Sequence, residues 1–412
     1  TIPLYGSVIL LTALWCQPAA PDEQNRSGES GAIASAEATP LDTWATIPMS
    51  HIAMQDGLIS NEVLDFAQDA KGFIWMATSG GVARFDGLEF KAYGQRRDDP
   101  NRLPATPARA IAFDEIGRLW VATEQVGLNV LDPVADQIEA VDLGTEELNQ
   151  GRVNRLAVDR EGNVWAGLPD YGLARIHPRS LRATLFTPDP DDPKSIPHEN
   201  VRAIFVDSGG LVWVGTQAGI ARFDPKTGGM TRVPVNAGTK GGERNIIVEA
   251  IQQASDGRIY IGNIDGQLFV LAETKLEFVP ASLGTPFGTG KVAGRISFIE
   301  NDRDGRLWIG AQDSGVSIID LVTGEHAHLE SDAARSRSLP DSFPQSFFQD
   351  GNGLVWIGFL NGLVKLDPYD GQFTDILVEL ANAGAPQLAW PWALLEDSKG
   401  YLWIGTPNGL WR

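Results

Sequence analysis

The sequence predicts an all-β fold, a β-propeller of four-stranded antiparallel blades, with seven blades favoured and eight-bladed closure as the alternative. Three observations predict it. A turn with a fixed glycine recurs eight times, at Gly72, Gly117, Gly162, Gly210, Gly257, Gly305, Gly353 and Gly400. The intervals are 45, 45, 48, 47, 48, 48 and 47 residues, a period typical of propeller blades. Each turn is followed at one fixed distance by an aromatic residue, and no segment carries a sustained helical period, which argues against α/β enzyme folds.

Each part of the unit has a physical reason, as in Asp69 to Asp86, DAKGFIWMATSGGVARFD. A short apolar run ends in D-x-x-G, where Asp accepts backbone N–H bonds and Gly supplies positive φ, so the two flanking strands form a tight hairpin. The fifth copy has Ala254 in place of the Asp and keeps Gly257, which predicts a looser turn there. The second strand carries Trp75, Trp120, Trp165, Trp213, Tyr260, Trp308, Trp356 or Trp403. Two residues later, on the same face, stands Ala77, Ala122, Gly167, Gly215, Gly262, Gly310, Gly358 or Gly405. A large ring beside a small residue lets neighbouring sheets interlock, so these aromatics read as core. A second glycine turn, at Gly81 in the first copy, leads to a third strand such as VARFD, and a variable strand such as LEFKAYG completes the unit. Such strands bury both faces only by stacking blades around an axis.

The chain has 412 residues, which a ring of blades accommodates as one large domain. A formal net charge of −20 excludes a nucleic-acid surface, which needs a basic face. Residues 1–20 hold an apolar run from Val8 to Cys16 followed by Ala19 and Ala20, the pattern of a signal peptide, with an N-terminal anchor as the alternative. Residues 21–44 are small and polar and read as a flexible linker, and residues 45–412 as the propeller. Cys16 is the only cysteine, which suits an oxidising compartment if the leader is removed. The stretch from Trp44 to Leu58 reads as a lone outer strand ahead of the first repeat, of the kind that closes a ring by pairing with the last blade.

The entry DGL-xx-N-x-V at Asp56 to Val63, the D-x-x-G-[FL]-[ILV]-W-[IV]-G-T unit and the connector DDPKSIP at Asp191 to Pro197 resemble the repeats of the two-component regulator propeller family. The resemblance covers residues 48–412. It implies a periplasmic sensor domain that precedes a histidine kinase, a hybrid two-component sensor or a diguanylate cyclase. It further implies a second propeller, a β-sandwich and a membrane-spanning output domain downstream, and a homodimeric receptor. The sequence ends inside the third strand of repeat eight, and the expectation is an N-terminal fragment of a longer sensor.

Ligands of propellers gather at the axial mouth. Counting back five and seven positions from each turn Asp selects Glu62, Arg109, Arg152, Asn154, Asn200, Arg202, Glu249, Arg295, Ser297, Phe343, Gln345, Trp390 and Trp392, with Leu64, Pro107 and Ile247 as exceptions. Three positions before the turn the residue is apolar in every copy, so polarity is expected only at the strand entrance. Four arginines from four blades of an acidic protein point to an anionic ligand held by forked guanidinium contacts. Trp390 and Trp392 offer a stacking face for a sugar or pack as core. The alternative for the arginines is pairing with Glu62, Glu249 or acidic loop residues.

The calcium-like run Asn301 to Gly305 coincides with an ordinary repeat turn, and His326 and His328 have no third ligand and are read as solvent-facing. No cofactor is expected, because no phosphate loop, zinc helix or nucleophile elbow occurs. The reading is a sensory propeller for a carbohydrate or other anionic small molecule. The alternatives are a propeller-type lyase using His198 as its base and a protein-interaction scaffold.

Overall fold

The computed structural model describes residues 41–44, 47, 49–93, 107–236, 246–283, 291–332, 338–368, 393–396, 402–406 and 409–411. Seven four-stranded antiparallel sheets form a seven-bladed propeller, and the described residues are almost free of helix. The inner strands run Val63–Gln68, Ala108–Phe113, Arg155–Val158, Val201–Val206, Val248–Gln253, Ile296–Asn301 and Ser346–Gln349.

Closure is made by the N-terminal strand. Met49–Ile52 pairs antiparallel with Gly362–Leu366 and supplies the fourth strand of blade seven, not of repeat eight. This rules out the eight-bladed alternative. The inner strands of the last and first blades also touch directly, with Ser346 Oγ donating to the Val63 carbonyl at 3.3 Å and the Gly351 N–H to Gln68 Oε1 at 2.7 Å. No space for another blade remains between them. Repeat eight forms a three-stranded sheet of its own, Ala393–Glu396, Leu402–Thr406 and Gly409–Trp411. The folded part also starts earlier than residue 45. Leu41–Trp44 makes one helical turn, and buried Trp44 stands edge-on to Trp308 with ring centroids 4.8 Å apart.

The turn Asp does more than brace its own hairpin. In blade four, one oxygen of Asp207 accepts the N–H groups of Gly209 and Leu211, while the other accepts the indole N–H of Trp213 at 2.8 Å. The carboxylate-to-indole bond recurs at Asp69, Asp114, Asp159, Asp302 and Asp350, at 2.8–3.0 Å. A buried tryptophan needs such an acceptor, and the hairpin brings it within reach. Blade five is not looser. Its turn keeps the same backbone bonds, Gly257 N–H to the Ala254 carbonyl and Ala254 N–H to the Arg258 carbonyl, both 2.9 Å. Asp256 takes over the lost carboxylate, accepting from the Arg258 N–H at 2.9 Å and from the Tyr260 hydroxyl at 3.1 Å.

A second exchange covers the same rings with positive charge. Arg84, Arg175 and Arg222 stand across the hairpin from Trp75, Trp165 and Trp213, each guanidinium 5.8 Å from the ring centre. Blades two and five place Val130 and Val270 there. Their arginines, Arg118 and Arg258, come instead from two residues before the ring and lie 5.7 and 5.6 Å from it. Blade six has the same residue exchange in its sequence, with Ile318 across from Trp308 and buried Arg306 two residues before it. A cation over an aromatic face is favourable from either direction.

In blades three, four, five and seven the glycine after the ring receives the next blade. A Cβ on Gly215 would lie 2.7 Å from Val248 Cγ1, and one on Gly358 would lie 2.4 Å from the Val63 carbonyl oxygen. Between blades three and four, the connector is fixed by Ser195, whose Oγ accepts from the Asp189 N–H at 2.8 Å and from Arg232 at 2.7 Å, while Ile196 is fully buried.

Candidate functional site at the axial mouth

The inner strands do not enter the ring as regular strands. The register with the second strand breaks at Leu64, Arg109, Arg202, Glu249 and Ser297, so five blades carry a β-bulge five residues before the turn. Blades three and seven have Asn154 and Gln345 at that place, their N–H groups bonded to the carbonyls of Gly167 and Gly358. A bulge adds a residue and re-aims the side chains around it. Here it points these residues at the axis.

They meet around a cavity of about 160 Å³, lined by Leu64, Arg109, Arg152, Asn154, Arg155, Arg202, Glu249, Arg295 and Gln345. A second cavity of about 180 Å³ shares several of these residues and reaches Asp65, Ser297 and Glu300. Of the residues the sequence singled out, Arg109, Arg152, Asn154, Arg202, Glu249, Arg295 and Gln345 come together. Glu62 and Asn200 do not line either cavity; Asn200 donates instead to Gln217 at 2.9 Å. Trp390 and Trp392 lie outside the described residues.

Some of the arginines are answered by carboxylates. Glu124 bonds Arg109 and lies 3.4 Å from Arg152, so an acidic loop residue neutralises part of this pair. Arg202 lies 3.6 Å from Glu249, which is 5% exposed. The Nε atoms of Arg202 and Arg295, Ser297 Oγ and Glu249 Oε1 are buried without a hydrogen-bond partner.

Polarity is not confined to the entrance, contrary to the alternation argument. Sequence reasoning missed Arg155 and Asp65, four residues before their turns, and Glu300, two before its turn. Strict two-residue alternation turns these positions away from the axis; the strands of Asp65 and Glu300 break it with a bulge, whereas that of Arg155 keeps an unbroken register from Arg155 to Val158. Arg155 sits among Glu249, Asp65, Arg295 and Arg202, and burial lowers its pKa against the pull of the two carboxylates. Burial raises Asp65 to about 6, opposed by the N–H groups of Ile111 and Phe66, each at 2.9 Å, and by Arg155. Burial, with Asp65 nearby, raises Glu300 to about 8, opposed by the Gln252 amide at 2.5 Å. Glu300 is therefore mostly protonated at pH 7.

The remaining candidates fall away. Asp302 of the calcium-like run is engaged by Trp308 and Arg306. His326 is exposed, but His328 is half-buried, bonded to Ser317 at 2.9 Å, and its pKa is lowered by burial. No cluster of metal-ligating side chains occurs among the described residues. His198 lines neither cavity, and its Nδ1 accepts the Asn200 N–H at 3.0 Å.

Comparison with known proteins places the fold. The family described as two component regulator propeller matches residues 57–80, 195–218 and 387–408. The extracellular domain of a hybrid two component system from B. thetaiotaomicron is 19% identical with a TM-score of 0.65, over 89% of this chain and 49% of that one. The extracellular domain of a one component system from the same organism is 21% identical with a TM-score of 0.64, over 88% and 45%. The chain thus spans about half the length of these structures. Virginiamycin B lyase from Staphylococcus aureus is 13% identical with a TM-score of 0.56, over 77% and 98%. A search of curated proteins finds no match.

Proposed function

We propose that this chain, built of two-component regulator propeller repeats, is the extracytoplasmic sensing propeller of a bacterial signalling receptor and that its axial mouth binds a small anion or the acidic end of a carbohydrate. The observation that carries this is the convergence of Arg109, Arg152, Arg155, Arg202 and Arg295 in one cavity of a protein with net charge −20. Forked guanidiniums in a partly desolvated site are suited to carboxylate or sulfate. The extracellular setting of the structural relatives supports the location. Binding across several blades favours one arrangement of the receptor over another, and this passes the signal to a downstream kinase or cyclase domain in a homodimer.

A lyase reading has support only in the fold shared with virginiamycin B lyase. His198, the base that reading requires, lines neither cavity. Calorimetric titration with glucuronate, with glucose as the neutral control, tests the proposal. Arg202 and Arg295, which like Arg155 are not held by Glu124, are replaced together with Ala, and this is expected to weaken glucuronate binding at least about tenfold. Equal binding by parent and variant refutes the assignment, and covalent change of glucuronate during the titration refutes a receptor.

A further inference from the structure

We infer that the mouth is built for a small carboxylic acid carrying a hydroxyl beside its carboxylate, with the guanidiniums taking the carboxylate and Glu249 taking the hydroxyl. The inference rests on the anion-binding reading above and adds the second half of the ligand. Two kinds of unanswered group belong to residues that line this cavity. Arg202 Nε and Arg295 Nε are buried donors without a partner, whereas Glu249 Oε1 is a buried acceptor without one. Its nearest cation, Arg202, lies 3.6 Å away, close enough for Coulomb attraction and too far for a hydrogen bond.

A bare anion answers only the donors. It leaves Glu249 unbonded and adds negative charge beside it, and each buried polar group without a partner costs free energy. A ligand that also donates answers both sets. A hydroxyl suits this better than an ammonium, because Arg155, Arg202 and Arg295 share the cavity and repel a further cation. The cavity of about 160 Å³ is smaller than a typical site for a drug-sized ligand, so it admits an acid end group of a few heavy atoms and not a sugar chain.

The test compares acetate, glycolate and glycine binding to the full chain at pH 7, followed by NMR shift titration. Glycolate is expected to bind at least about tenfold more tightly than acetate, the worth of one hydrogen bond to a buried carboxylate. Glycine is expected to bind more weakly than glycolate. Glu249→Ala is expected to bring the glycolate-to-acetate ratio to near one while acetate binding is kept or tightened. If acetate and glycolate bind equally to the unaltered protein, the hydroxyl assignment is wrong and the anion reading stands; if neither binds, both fail. Glycine binding more tightly than glycolate overturns the choice of donor. Should Glu249→Ala not fold, the acetate and glycolate comparison on the unaltered chain decides alone.

Discussion

The two ends of the inner strands obey different rules. At the turn end, the seven ring blades repeat one lock, a carboxylate holding an aromatic N–H or O–H, and blade five rebuilds it from Asp256 and Tyr260 when Ala254 removes the usual partner. At the entry end, no two of these blades present the same side chains in the same order, and several buried polar atoms have no partner. Where the fold answers every polar group from within, substitution costs stability. Where it leaves them unanswered, substitution is expected to cost binding.

The largest expected effect tests the lock. Asp207→Ala strands the buried Trp213 indole and the N–H groups of Gly209 and Leu211, and should cost about 2–4 kcal/mol in chemical denaturation. Adding Gly209→Asp and Trp213→Tyr copies blade five and should recover most of the loss. A blade four that tolerates Asp207→Ala alone breaks the comparison.

An intermediate effect separates the deep channel from the lock. The pKa of Glu300 is raised from 4.5 to about 8 in the folded chain, so the folded state holds a proton that the unfolded state releases. Stability therefore falls as pH rises from about 4.5 to about 8 and levels off above that. Glu300→Gln should match the parent at pH 4 and exceed it at pH 9, with the gap opening across that window. The slope that remains in the variant should lie below about pH 6, where Asp65 titrates with the same sign. Parallel curves for the two proteins contradict the raised pKa.

The smallest effect concerns the cation over the ring. Arg222→Val is expected to cost about 0.5–1 kcal/mol, and adding Leu211→Arg, which moves the guanidinium to the side used in blades two and five, should restore it. A thermal melt of the double variant that shows no recovery indicates that Arg222 acts through other contacts.

Much of the fold was legible because the period, the turn glycines and the ring positions are local patterns repeated eight times. The mouth was legible in part. Arg109, Arg202 and Glu249 were found by counting from the turn, since a bulge five residues before it still leaves that residue on the axis. Arg155, Asp65 and Glu300 were not, because alternation assigns all three to the other face, and no sequence mark announces the bulge in the strands of Asp65 and Glu300. The tie between turn Asp and Trp was present as a constant six-residue spacing, yet a spacing does not show that a side chain oxygen reaches an indole.

The sequence by itself determined the repeating blade, the buried aromatic girdle and four of the five arginines at the mouth, since each follows from residue type at short range. Tertiary structure alone decided that Met49–Ile52 closes blade seven and that Glu124 and Arg155 enter the electrostatics of one cavity. Both depend on which distant strands come within bonding distance when the ring closes, and that is set by the packing of all seven blades together.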